Sequence, residues 1–338
     1  MIRALLLVTL VTFGNPRGFC QNPSSAFVHA GIRKADRGDH RGAIRCYNIA
    51  LEYDSSNSRA YLNRGVAEAA LGQFQKAIRD YDRASLLAPA DATIYYNRGV
   101  AYADLGQSLL AIQDYDRAIS LRSNFPKALL NRGNLKDDGK DFEGAIQDYT
   151  LAIKFKRRYA IAYFDRGRAK AEMHNWQAAK KDFDSAIQFD KRIEQVYISR
   201  GAAKTHLNDL NGAALDYNAA FRLNPKDPLI FYNWGNLESK LSNSKESIRC
   251  YTIAIELRPN YAEAFYGRGY EYYDRQRFDS ALADFSKAID LKQDYGQAYW
   301  YRGEVKRVLN MLGACADFQK SAALGIPEAS NAIRKYCR

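Results

Sequence analysis

Four asparagines, Asn63, Asn97, Asn131 and Asn233, occupy the same place in a recurring stretch of this sequence. A carboxamide offers both a donor and an acceptor. A row of them can therefore hydrogen-bond the backbone of an extended chain without reading its side chains. The next residue in seven of the stretches is an arginine: Arg64, Arg98, Arg132, Arg166, Arg200, Arg268 and Arg302. Regularly spaced guanidinium groups raise the chemistry of phosphate binding. The same seven stretches, however, also carry an aspartate: Asp80, Asp114, Asp148, Asp182, Asp216, Asp284 and Asp317. Where the arginine is missing the aspartate is missing too, with Ala30 and Cys46 in one stretch and Trp234 and Cys250 in another. A carboxylate accepts the guanidinium fork through two parallel bonds. Arg64–Asp80, Arg98–Asp114 and Arg132–Asp148 therefore read as structural pairs, within one hairpin or between neighbours. Arginines so engaged are not free for phosphates, and no nucleic-acid partner is expected.

Other chemistry is not signalled. His29, His40, His174 and His206 form no metal-like pair on one helix face. The glycines come singly and make no phosphate-cradling loop. Ser, His and Asp occur without a local grouping. The sequence is expected to be no enzyme and to need no metal and no cofactor.

The elements that would position these side chains follow a period of 34 residues. Units run without a gap through 24–57, 58–91, 92–125, 126–159, 160–193, 194–227, 228–261 and 262–295, and a ninth, 296–328, is one residue short. Position 8 of the unit is always Gly, from Gly31 to Gly303. Position 20 is Ala except at Ser247, position 24 is always aromatic, and position 27 is Ala except at Ser321. Small residues at 8 and 20 let two antiparallel helices approach closely, and the aromatic at 24 and the Ala at 27 lie about one turn apart on the second helix. Pro89, Pro225 and Pro259, at position 32, cannot continue a helix and mark the link to the next unit. One such hairpin cannot bury its apolar face, but a stack can. Hydrophobic residues make up 47% of the 338 residues, enough for such a stacked core.

This small–small–aromatic–small pattern resembles the tetratricopeptide repeat over residues 24–328. The resemblance implies an all-α fold, a right-handed α-solenoid of nine helix-turn-helix units over 24–325 with a C-terminal capping helix at 326–338. It also implies a non-enzymatic scaffold or adaptor that binds a protein or an extended peptide in a concave groove lined by the first helices. A structural or oligomer-forming envelope component, or a binder of glycan or cell-wall fragments, are the alternatives. In this family positions 2, 5, 6, 9, 12 and 13 face the groove. The asparagine row at position 6 is similar to the asparagine ladders of peptide-binding solenoids, although Asp165 and Ser199 interrupt it. Position 5 adds Tyr96, Phe164, Tyr232, Tyr266 and Trp300 to the candidate groove, and Tyr270 follows at position 9. Tyr266, Tyr270 and Trp300 suggest a second, aromatic-rich pocket near the C-terminus, or core packing. The carboxylate clamp of chaperone-binding members is absent, since Leu130 and Tyr232 stand where its lysine would be.

The two ends differ from the array. Residues 1–20 combine a basic start, the apolar run "ALLLVTLVTF" and small residues before Gln21, the layout of a secretory signal peptide. The run is too short for an ordinary membrane span. Acylation of Cys20 as a lipoprotein is the lesser alternative. An exported protein, periplasmic or extracellular, is expected, and the closing segment is similar to that of Bacteroidetes envelope proteins with this repeat. Near the end, Cys315 begins one predicted helix and Cys337 ends the next. An antiparallel hairpin brings those two points together, so a Cys315–Cys337 disulfide is expected in an oxidising compartment. The formal charge of +12 is spread over helices and linkers, without a basic stripe.

Overall fold

The computed structural model describes residues 23–337. The proposed signal peptide and Cys20 lie outside the described residues. Nineteen helices and no strand occur among them, so the fold is all-α. Two compact units divide between Leu135 and Lys136. The first contains α1 (Pro23–Ala35), α2 (His40–Tyr53), α3 (Ser58–Ala70), α4 (Phe74–Leu87), α5 (Ala92–Asp104), α6 (Ser108–Leu121) and most of α7 (Pro126–Asp138). The second contains α8 (Phe142–Phe155), α9 (Ala160–Glu172), α10 (Trp176–Phe189), α11 (Glu194–His206), α12 (Leu210–Leu223) and α13 (Pro228–Lys240). It continues through α14 (Ser244–Leu257), α15 (Ala262–Asp274), α16 (Phe278–Leu291), α17 (Gly296–Val308), α18 (Ala314–Ala323) and α19 (Pro327–Tyr336). Within each unit, successive helices pack as antiparallel hairpins stacked side by side, a solenoid arrangement.

The repeat residues explain the hairpin. The aromatic at position 24 and the alanines at 20 and 27 form its core: Tyr115 is 1% exposed, and Ala111 and Ala118 are fully buried. Burying a ring of that size contributes about 2–3 kcal/mol. Position 8 faces the ring, and a Cβ built on Gly99 would sit 2.8 Å from Tyr115 Cε1. Glycine is thus required there by close approach, not by backbone conformation. The two serine exceptions stay satisfied, because Ser247 Oγ donates to the Gly235 carbonyl and Ser321 Oγ to the Gly296 carbonyl, each at 2.9 Å.

Between the helices of every hairpin a residue adopts a left-handed conformation, and the ninth hairpin adds a second, Gly313. The shared residue is Gly38, Gly72 or Gly106 in the first three repeats. In the other six it is Lys140, His174, Asn208, Ser242, Gln276 or Asn310, with φ between 53° and 64°. Six non-glycine residues therefore take this region because the hairpin demands it, Lys140, Ser242 and Gln276 at greater cost than His174, Asn208 and Asn310. At the C-terminus, α19 follows α18, and Ala329 and Ala332 on α19 are buried. Cys315 and Cys337 come together there with a Cα–Cα distance of 5.6 Å and their sulfurs joined.

Candidate functional site

The groove face of each unit is set by the first helices of the hairpins. In the first unit α1 touches α3 and α3 touches α5. In the second, α9, α11, α13, α15 and α17 make the same chain of contacts. First helices that approach one another across their intervening partners occupy the inner side of a curved stack, and their positions 6, 9, 12 and 13 are partly open, apart from the buried Asp165.

The asparagine row has a common geometry. Asn63 Nδ2 donates to the Arg59 carbonyl at 2.8 Å, Asn97 to Thr93 at 2.9 Å, and Asn233 to Leu229 at 2.8 Å. In each case the partner is the carbonyl four residues earlier on the same helix. Each of these amides spends a donor on the preceding turn and keeps Oδ1 as an acceptor. Asn131 differs: its Nδ2 lies 3.5 Å from the Tyr115 hydroxyl. Asn63 also lines a groove pocket of about 220 Å³ with Ser58, Arg59, Leu62, Asp91 and Ile94.

The interruption of the row at Asp165 is chemically distinct. Asp165 is 8% exposed, and burial, with the Asp137 charge beside it, pushes its carboxyl up to about 6 against the attraction of Arg168. Asp137 is raised as well, again first by burial. Its Oδ1 is buried without a hydrogen-bond partner. Arg168 stands near both carboxylates, at 3.7 Å from Asp137 and 3.9 Å from Asp165, too far for a hydrogen bond.

The position-5 aromatics are largely drawn into packing between repeats. Tyr96 lies 4.9 Å from Phe125 and 6.1 Å from Tyr115, centroid to centroid. Tyr232 meets Tyr251 and Tyr261, and Tyr266 meets Phe285 and Tyr295, in the same way. Phe164 packs on Phe183 and Trp300 on Phe318. For Tyr96, Tyr232 and Tyr266 the reason is an aromatic at position 34, in the link between repeats, that closes over the position-5 ring. The suggested aromatic pocket near the C-terminus is divided. Tyr270 lines a cavity of about 450 Å³ with Glu271, Asp274 and Arg275, whereas Trp300 lines one of about 300 Å³ against α19.

The arginines and aspartates form the expected forks. Nε and Nη2 of Arg64 donate to the two Asp80 oxygens, both at 2.7 Å, and Arg98 holds Asp114 at 2.8 and 2.7 Å. The same fork joins Arg166 to Asp182, Arg200 to Asp216, Arg268 to Asp284 and Arg302 to Asp317. The remaining nitrogen, Nη1, reaches back 16 residues to position 25 of the preceding repeat. It donates to Asn48, Asp82, Asp116, Thr150, Asp184 or Thr252 at 2.5–3.1 Å. These six arginines thus each tie their own hairpin to the one before it. Position 25 escaped sequence reasoning because its acceptor changes type from repeat to repeat. A lysine at position 11 often completes the cluster, as Lys136 does on Asp148, Lys170 on Asp182 and Lys204 on Asp216, at 2.7–2.8 Å.

Among the described residues no cluster of three metal-ligating side chains occurs, and no helix is long and apolar enough to cross a membrane. The model described as TPR repeat matches residues 65–106, and that described as tetratricopeptide repeat matches 92–125 and 262–295, the bounds of two of the repeats above. No curated protein matches the sequence. Among solved structures, Cut9 bound to Hcn1 from the hetero-tetramer of APC/C is similar with a TM-score of 0.61 at 13% identity, over 95% of this chain and 78% of that one. A tetratricopeptide repeat protein from Parabacteroides merdae gives 0.54 at 17% identity, over 74% and 99%. Yeast Tom70 gives 0.54 at 15% identity, over 92% and 87%. These likenesses concern the fold.

Proposed function

We propose that this chain, a member of the tetratricopeptide-repeat family, is a non-enzymatic scaffold that holds a protein or an extended peptide against the first helices of its repeats. The observation that carries the reading is the asparagine row. Asn63, Asn97 and Asn233 are each fixed by a bond to their own helix. Each therefore presents a carboxamide oxygen at a constant height on a rigid element. A peptide backbone supplies N–H donors at regular intervals, and a pre-oriented acceptor costs less entropy to engage than a mobile one. The donor-poor carboxylates Asp137 and Asp165 add a place for an N–H or a basic side chain of the same partner.

Replacing Asn63, Asn97 and Asn233 together by Ala tests the groove reading. Affinity capture of partners by the variant and by the parent chain, quantified by mass spectrometry, reads the effect. The expected result is loss of the parent's groove partners with little change in thermal stability, since each lost bond is an intrahelical one, exposed at Asn63 and only part-buried at Asn97 and Asn233. Retention of every partner together with a large drop in Tm would assign the row to stiffening the stack.

We also place the protein outside the cytoplasm, in the periplasm or beyond. The layout of residues 1–20 and the pairing of Cys315 with Cys337 support this. Alkylation of protein purified from its native compartment, without reduction, should leave Cys315 and Cys337 unmodified. Labelling of both thiols would overturn the disulfide.

A further inference from the structure

Repeat seven keeps the socket of the strut and lacks its cation. In six other repeats the arginine guanidinium lies 5.4–5.8 Å from the centroid of the ring three residues before it, namely Tyr61, Tyr95, Tyr163, Tyr197, Phe265 or Tyr299. Repeat seven has the ring, Phe231, but Trp234 stands in the arginine's place and Cys250 in the aspartate's. Asn218 fills the position whose side chain accepts Nη1 elsewhere. Its Nδ2 donates to the Ala214 carbonyl at 3.0 Å, so its Oδ1 is the group available here. Without the strut, α12 and α13 pack more loosely than α10 does on α11 or α14 on α15. A cavity of about 330 Å³ opens between α12, α13 and α14, walled by Phe221, Phe231 and Trp234, with Asn218, Glu238, Glu246 and Arg249 among its polar groups.

The chemistry of that wall selects a kind of ligand. Phe221 and Phe231 meet edge to face at 6.0 Å, and Trp234 adds the side chain with the strongest attraction for a cation. Glu238 and Glu246 bring two carboxylates. Arg249 also lines the cavity, but its side chain is 71% exposed and its Nη1 lies 3.4 Å from Glu246, which leaves one carboxylate charge in excess. Burial, with the charges of Glu238 and Glu246, pushes the Cys250 thiol up to about 11, so it is neutral at physiological pH. With a thiol where the fork-accepting aspartate would be, a guanidinium loses its two-point partner. A compact cation coated in alkyl groups loses nothing, because it needs rings and a diffuse negative potential, not directed acceptors.

We propose that the repeat-seven cavity binds a quaternary ammonium group of the choline type, held against Phe221, Phe231 and Trp234 and neutralised by Glu238 and Glu246. This site is separate from the groove residues named above and does not depend on them.

Calorimetric titration of the full chain with choline and with its neutral isostere 3,3-dimethylbutanol tests the assignment. Choline is expected to bind ~10-fold or more tightly than the isostere, the ratio that cation–π attraction and two carboxylates supply. The E238Q/E246Q variant, altered only at partly exposed carboxylates, is expected to lose most of that preference. The W234R/C250D variant, which installs an internal strut, is expected to bind neither. A trimethyllysine peptide that binds more tightly than choline would place the cation on a polypeptide, and equal or weaker binding would place it on a free solute; either result supports the cage. Equal affinity for choline and the isostere, choline binding unchanged in both variants, or no binding at about 10 mM choline would overturn the proposal.

Discussion

Repeats six and seven are neighbours with the same helix lengths and the same buried ring at position 24, Tyr217 and Tyr251, but they are fastened differently. Arg200 in repeat six holds Asp216 through two bonds and reaches Asp184 in repeat five at 2.7 Å, while Lys204 adds a second cation on Asp216. Repeat seven has none of this and opens a cavity instead. The difference separates two jobs that the repeat usually combines. The small-residue and ring core makes each hairpin, and it is buried in both, with Ser247 bonded to the Gly235 carbonyl in place of the alanine at position 20. The ionic strut joins hairpins, and the stack survives its loss at one junction. Replacing buried ion pairs by apolar residues is often close to neutral, whereas removing one partner is costly. Trp234 with Cys250 fits the first case, since both charges are gone together.

The largest expected effect breaks repeat six on the charged side. Asp216→Ala leaves Arg200 and Lys204 without their shared, nearly buried carboxylate, and should cost about 3 kcal/mol, read by urea denaturation. The same measurement on Cys250→Ala in repeat seven should show about 1 kcal/mol or less.

Repeat two sharpens the comparison from another direction. Its position-11 residue is Glu68, 9% exposed, with one oxygen buried and unpartnered, beside Asp80 rather than opposite in charge to it. Burial first, and the Asp80 charge second, push its carboxyl from 4.5 to about 6. The folded chain therefore binds this proton more tightly than the unfolded chain does. Its stabilising contribution is complete below pH 4.5 and is lost as pH rises to about 6. Glu68→Gln should raise stability at pH 7 by about 1–2 kcal/mol and flatten that pH dependence. Glu68→Lys should gain at least as much, by making the pair that Lys204 makes with Asp216. Denaturation curves at pH 4.5 and pH 7 read both; a variant less stable than the parent at pH 7 would contradict the account.

The smallest expected effect concerns the turns. Lys140→Gly and Gln276→Gly replace residues held at φ 64° and 59°. Each should raise stability by about 0.5–1 kcal/mol, as Gly relieves left-handed strain. The same change at Asn208 should gain less, because Asn tolerates that region.

The repeats themselves made most of the fold legible. Nine aligned units behave as nine trials of one structure, so the joint presence of Arg98 and Asp114, and the joint absence of both residue types in repeat seven, pointed to a contact before any distance was known. What stayed hidden has particular causes. The acceptor of Nη1 varies among Asn48, Asp82 and Thr150, so no residue type repeats. The left-handed turn is announced by Gly38, Gly72 and Gly106 but masked by Lys140 and Gln276. Tyr96 and Tyr266 looked available to the groove because periodicity gives their helix face. It does not show that Phe125 and Tyr295 will close over them. Asn97 reads as a ligand group by spacing, while its bond to Thr93 arises from side-chain reach along one helix turn.

A double-mutant cycle in repeat seven tests the central claim most directly, namely that arginine at position 7 and aspartate at position 23 form one strut. Urea denaturation would compare the parent chain with Trp234→Arg, Cys250→Asp and the double variant. The account predicts that each single change destabilises, because it buries an unpaired charge, and that the double variant recovers at least about 2 kcal/mol relative to the sum of the singles. Additive losses, with no recovery when both charges are present, would contradict it.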